Sequence, residues 1–113
     1  MSLIYKLLSR DEWAHALALG RFEGSEVDRA DGFIHFSAGP QAQETAARWF
    51  SGCGDLMLLS VEAGELGEAL KWEASRGGDL FPHLYAPLPV SAVIEARMLG
   101  LGPDGVPDLG RLA

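Results

Sequence analysis

The chain has 113 residues, 48% hydrophobic and 22% charged, and its 16 acidic residues outweigh nine basic ones for a formal net charge of −7. That is the size and balance of one globular domain with one core, and the acidic average surface excludes wholesale nucleic-acid binding. No apolar run approaches the roughly 20 residues of a membrane span, the start from Met1 to Lys6 has no secretion-signal pattern, and the single Cys53 allows no internal disulfide, so a cytoplasmic location is the expectation.

Leu3 to Leu8 alternates in the manner of a strand and runs into Ser9-Arg10-Asp11-Glu12, a capping-box pattern that predicts a helix. Trp13, Ala16 and Leu17 give this helix its apolar face, and Gly20 is its natural stop. Residues 21–32, with Gly24, Ser25, several acids and the turn pair Asp31-Gly32, read as a surface loop. Phe33 to Ser37 is a short strand. Gly39-Pro40 then opens a second helix, with proline in the first turn where its missing amide costs nothing. Ala42, Ala46, Trp49 and Phe50 form its apolar side, so Trp13 and Trp49 are both expected as core anchors, and Gly52-Cys53-Gly54 ends it with Cys53 in a turn. The run Leu56 to Val61 has the continuous apolar character of a buried central strand. A turn over 63–68 leads to a strand at Leu70 to Glu73, a flexible loop from Ser75 to Asp79, and a further strand at Phe81 to Tyr85. Leu88, between Pro87 and Pro89, reads as irregular or edge structure. A last strand covers about Ala92 to Met98. Residues 101–113, rich in glycine and proline, are expected to fray or lie along the surface as a tail. Two early helices and mostly late strands predict a single α+β domain over 1–100 with largely antiparallel pairing.

Three segments carry groups suited to chemistry. In a strand over 33–37, Phe33, His35 and Ser37 share one face while Ile34 and Phe36 turn to the core, which leaves His35 and Ser37 facing a cleft or a second layer. His35 there suits either proton transfer or a structural hydrogen bond. If Trp72 packs inward, Glu73 projects outward, and the Arg76-Gly77-Gly78 loop that follows can bring amides and a guanidinium to a phosphate or carboxylate. His83 and Tyr85 share a face opposite Leu84, so Tyr85 or Trp72 can stack on a planar ring while His83 hydrogen-bonds to it. A metal site is not expected, because His15, His35 and His83 fit no close-spaced ligand pattern. Nor does any serine stand in a Gly-x-Ser-x-Gly elbow.

The succession Ile4-Tyr5-Lys6, Trp13, Asp31-Gly32-Phe33-Ile34-His35-Phe36-Ser37, Gln41, Thr45, Leu70-Lys71-Trp72-Glu73 and Phe81-Pro82-His83-Leu84-Tyr85 resembles the bacterial domain of unknown function 952 over residues 3–95. The resemblance implies a fold similar to the ADP-ribosylation fold, two small sheets flanking a nicotinamide-dinucleotide cleft in its enzymatic relatives. It implies a strand histidine that holds the dinucleotide, for which His35 is placed, aromatics against the nicotinamide, for which Tyr85 or Trp72 stands, and a glutamate at the ribose, for which Glu73 is the candidate. NAD is then the implied cofactor, and NAD-dependent ADP-ribosyl or glycosyl transfer the implied activity. Two readings stand side by side. One is a small-ligand, nucleotide-like site with Glu73 and His35 as catalytic groups and Ser37, Trp72, Arg76, Gly77, Gly78, His83 and Tyr85 around the ligand. The other is a non-catalytic binding or interaction module whose His35, Glu73 and His83 form a structural network. Neither names a protein partner.

Overall fold

In the computed structural model the described residues are 2–112, with the side chain of Arg76 outside them. Strand β1 (Leu3–Ser9) is buried on both faces, Ile4, Lys6 and Leu8 on one and Tyr5 and Leu7 on the other. It pairs antiparallel along its whole length with β5 (Leu56–Glu62), from Leu3 opposite Glu62 to Ser9 opposite Leu56. Strand β4 (Ser37–Ala38) adds to the other edge of β1 and β9 (Val93–Met98) to the far edge of β5, giving a four-stranded antiparallel sheet in the order β4-β1-β5-β9. Both faces of this sheet are covered, which is why β5 is buried from Leu56 to Val61 and apolar there except at Ser60, rather than alternating.

One face meets helix α1 (Arg10–Leu19), which begins in the capping box of Ser9 and Glu12 and ends at Gly20 in the left-handed conformation. A second antiparallel sheet lies on this face too, in the order β3-β7-β6, formed by β3 (Ile34–His35), β7 (Leu80–Leu84) and β6 (Leu70–Ala74). Ile4, Leu8, Met57, Leu59 and Val61 of the first sheet pack there with Trp13, Phe22, Ile34, Phe36, Leu84 and Leu88. The opposite face receives helix α3 (Gly39–Trp49), whose Ala42 and Ala46 sit fully buried against Tyr5, Leu7, Leu56 and Leu58. No helix among the described residues is long and apolar enough to cross a membrane.

Four expectations from sequence are corrected. The segment over 21–32 is not all loop: it contains the two-residue strand β2 (Arg21–Phe22), paired with β8 (Leu88–Pro89), and a third α-helix, α2 (Glu26–Asp31), whose C-cap is Gly32. Trp49 is 68% exposed although its spacing puts it near the Ala42 side of α3: it is the last residue of the helix, and at that end Phe50, the C-cap, packs on the second core instead. Leu17 on α1 is 53% exposed, since Trp13 and Ala16 take the inward positions. The tail does not fray: β10 (Gly100–Leu101) and β11 (Pro107–Asp108) form a small hairpin, and Leu109 is fully buried in the second core with Leu99.

Candidate functional site

The register of the second sheet builds the site. Ile34 pairs with Leu84, and Leu84 with Leu70, toward the core. One residue further along, His35 stands directly opposite His83, and His83 opposite Lys71, so these side chains take the other face. Glu73, two residues beyond Lys71, shares it, and its Oε1 lies 2.8 Å from His83 Nδ1. The Tyr85 hydroxyl donates to the same oxygen at 2.7 Å. Phe33 sits in the middle. Its ring stacks on His83 at 4.1 Å between centroids and lies tilted against His35 at 4.6 Å and Tyr85 at 5.2 Å. The two imidazoles are 5.6 Å apart, edge to face. The hydrogen bonds from Tyr85 and then His83 hold the Glu73 carboxyl below the usual carboxylate range, and the bond to Glu73 raises the Tyr85 phenol.

His35 is fixed from below by α2. Its Nδ1 lies 2.6 Å from Asp28 Oδ1, its backbone N–H donates to the same oxygen at 3.1 Å, and its Nε2 lies 2.9 Å from Asp31 Oδ2. Asp28 is buried and also holds Lys6, whose Nζ lies 2.8 Å from Oδ2, while the Ser25 N–H donates to Oδ2 at 2.9 Å. Burial alone would raise the Asp28 carboxyl, but the His35 ring, the adjacent Lys6 ammonium and the Ser25 amide outweigh it and bring the carboxyl down to about 2. On Lys6 the balance goes the other way: burial lowers its pKa against the pull of Asp28. A six-residue helix thus delivers one carboxylate under the sheet and a second, Asp31, at its rim.

Of the residues expected at a site, His35, Glu73, His83 and Tyr85 come together around Phe33. Trp72 does not join them. It lies on the opposite face of β6 by strand alternation, 44% exposed, where it lines an open groove with Ser2, Glu62, Gly64, Gly67 and Leu70. The expectation that it packs inward fails because it stands beyond the Leu70 and Leu84 positions that reach the core. Ser37 belongs to the first sheet, buried, its hydroxyl 3.0 Å from that of Thr45 on α3. Gly77 and Gly78 make the turn of the β6-β7 hairpin, both with positive φ, and the Arg76 side chain is outside the described residues. Among the described residues no group of His, Cys, Asp and Glu is arranged to hold a metal ion.

Residues 7–96 match the family described as protein of unknown function (DUF952). The chain belongs to the DUF952 family. This DUF952 chain is similar to protein CC0527 from Caulobacter crescentus, whose X-ray crystal structure is 68% identical with a TM-score of 0.94 over 96% of this chain and 95% of that one. A double mutant of the same protein matches at 66% identity and TM-score 0.94 over 96% and 95% of the two chains, and its solution NMR structure at 68% identity and 0.88 over 97% and 95%. No curated protein matches.

Three residues of the cluster were missed from sequence: Phe33, Asp28 and Asp31, the last read only as part of a turn. Phe33 shares its strand face with His35, so the alternation that singled out the histidine already contained the ring at its centre. Asp28 had a fainter signal: Lys6 sits between Ile4 and Leu8 on a buried strand face, and a lysine there needs an acidic partner. Nothing local says that the partner is 22 residues away.

Proposed function

We propose that the face around Phe33 binds a small ligand of nucleotide or NAD-like kind, on a scaffold similar to the ADP-ribosylation fold, and carries ADP-ribosyl or glycosyl transfer. The observation that supports this most is the gathering of two imidazoles, a carboxylate and a phenol from separate segments on one sheet face. Glu73 uses only Oε1 for its two hydrogen bonds, so among the described residues Oε2 has no hydrogen-bond partner. A hollow of about 210 Å³ lined by Asp28, Arg29, Phe33, Ile34, Leu84 and Tyr85 shares Phe33 and Tyr85 with the cluster, whereas His35, Glu73 and His83 do not line it. Drug-sized ligands occupy roughly 300 Å³ or more, so this space suits one ring or ribose rather than an entire dinucleotide. Loss of a nitrogenous ring from ribose develops positive charge on the sugar. A fixed, ionised Glu73 lowers the energy of that transition state.

A thermal-shift titration with NAD and ADP-ribose tests the binding. A ligand at a hundred times its dissociation constant adds about 2.7 kcal/mol, which for a domain of this size is several degrees. The Glu73→Gln variant is expected to lose turnover while its ligand affinity stays within about tenfold, a difference of about 1.4 kcal/mol. A flat response to both compounds overturns the proposal.

The alternative is a non-catalytic binding or interaction module. It is favoured by His35, both of whose ring nitrogens are taken by Asp28 and Asp31. In that reading the cluster serves to tie α2 to the second sheet.

A further inference from the structure

His83 and His35 differ in one respect that decides what each can do. His35 has a carboxylate oxygen at either nitrogen. Among the described residues His83 has one only at Nδ1. Its ring is otherwise covered, with Phe33 stacked on it, His35 opposite on β3, and Lys71 and Glu73 on β6. No buried side-chain nitrogen or oxygen among the described residues lacks a hydrogen-bond partner, and His83 makes no bond through Nε2 among them, so that nitrogen is not fully sealed although the side chain is only 7% exposed. The other atom of the pair settles the proton. Glu73 Oε1 already accepts from the Tyr85 hydroxyl, and an ionised carboxylate has nothing to donate. Nδ1 must therefore be the donor, and in the neutral ring the lone pair is then on Nε2.

We infer that His83 Nε2 is the proton acceptor of this site, and that Glu73, through Oε1, is the positioning residue that holds His83 in the Nδ1–H tautomer. The inference rests on the transfer reading above for the chemistry it serves. In that chemistry the substrate is an N-glycoside and the acceptor a hydroxyl, from water or an alcohol. The acceptor's proton passes to Nε2, its oxygen forms the new C–O bond at the anomeric carbon, and the C–N bond breaks with its electron pair leaving on the nitrogenous ring. For a pyridinium glycoside the ring departs as the neutral base, so charge balances with no further reactant.

Imidazole ¹⁵N–¹H correlation NMR on the intact chain reads the tautomer without any ligand. The expected result is His83 as Nδ1–H over Nε2–H by about tenfold in the neutral ring, the bias of a hydrogen bond to a charged acceptor. Tyr85→Phe should keep that ratio, because the acceptor remains. Glu73→Ala, a change at a half-exposed side chain, should abolish it. An Nε2–H tautomer in the unaltered protein, or a ratio indifferent to Glu73→Ala, overturns the inference. The two proposals fail separately. A correct tautomer with no response to NAD or ADP-ribose removes the ligand class and leaves His83 as a proton acceptor, whereas the wrong tautomer removes the acceptor whatever binds.

Discussion

Asp28 accepts from the Lys6 ammonium, the Ser25 amide, and both the ring and the backbone of His35. Its carboxyl falls from 3.8 to about 2, a shift that corresponds to about 2 kcal/mol of folding free energy. The sign follows from the depression. Between the folded and unfolded values the unfolded chain binds more protons, so the contribution is complete above about pH 4 and is lost as pH falls through about 2. Urea unfolding at pH 5 and at pH 2 should show this loss in the wild type. The paired replacement Lys6→Met with Asp28→Asn should flatten it, since both charges go together. Asp28→Ala alone should cost about 3–5 kcal/mol at neutral pH, because it leaves a buried ammonium without its counter-ion. That is a large part of the 5–15 kcal/mol typical of a whole domain.

Helix α2 has only six residues, too few to nucleate by itself. It exists because Asp28 reaches back to the Ser25 amide at its start, and Gly32 turns the chain left-handed at its end with φ of 86°. Gly24, just before it, also has a positive φ, 105°, but there a Cβ would stand 2.9 Å from the Asp28 Cβ, whereas at Gly32 it would meet nothing within 4 Å. Gly32→Ala should therefore cost only its backbone strain, about 1–2 kcal/mol. Gly24→Ala should cost about 1–3 kcal/mol more, through the crowding of Asp28. Chemical denaturation of the two variants gives the comparison, and equal losses would mean that the approach of Gly24 to α2 is unimportant.

At the scale of the molecule, the two cores lie on opposite faces of one sheet, and the chain end completes the second. Leu109 is fully buried beside Leu7 and Leu58, while its carbonyl accepts from the Arg97 guanidinium on β9 and its amide donates to Gln43 on α3. Leu109→Ala should destabilise by about 2–5 kcal/mol, as for any large-to-small change in a packed interior. Trp49→Ala, in spite of the larger side chain, should stay within about 0.5 kcal/mol, because the indole is 68% exposed. Thermal unfolding of both variants orders the two positions, and the reverse order would contradict this account of the second core.

The sequence by itself determined what depends on near neighbours along the chain: the capping box at Ser9, the proline-opened helix at Gly39, the largely apolar β5, and the alternation that put His35 on one face and Ile34 on the other. Periodicity and caps are local, so they survive without knowledge of the fold. It also contained the family resemblance and four members of the cluster, His35, Glu73, His83 and Tyr85. The tertiary structure alone decided which faces are covered. The same alternation leaves Trp72 outside while Leu70 and Leu84 are in, and the spacing that buries Ala42 and Ala46 leaves Trp49 in solvent, because burial depends on where a second layer ends. It also decided Asp28 and Leu109, whose partners lie 22 and 66 residues away. Such pairings leave no periodic trace, since their energy comes from contacts that chain folding creates.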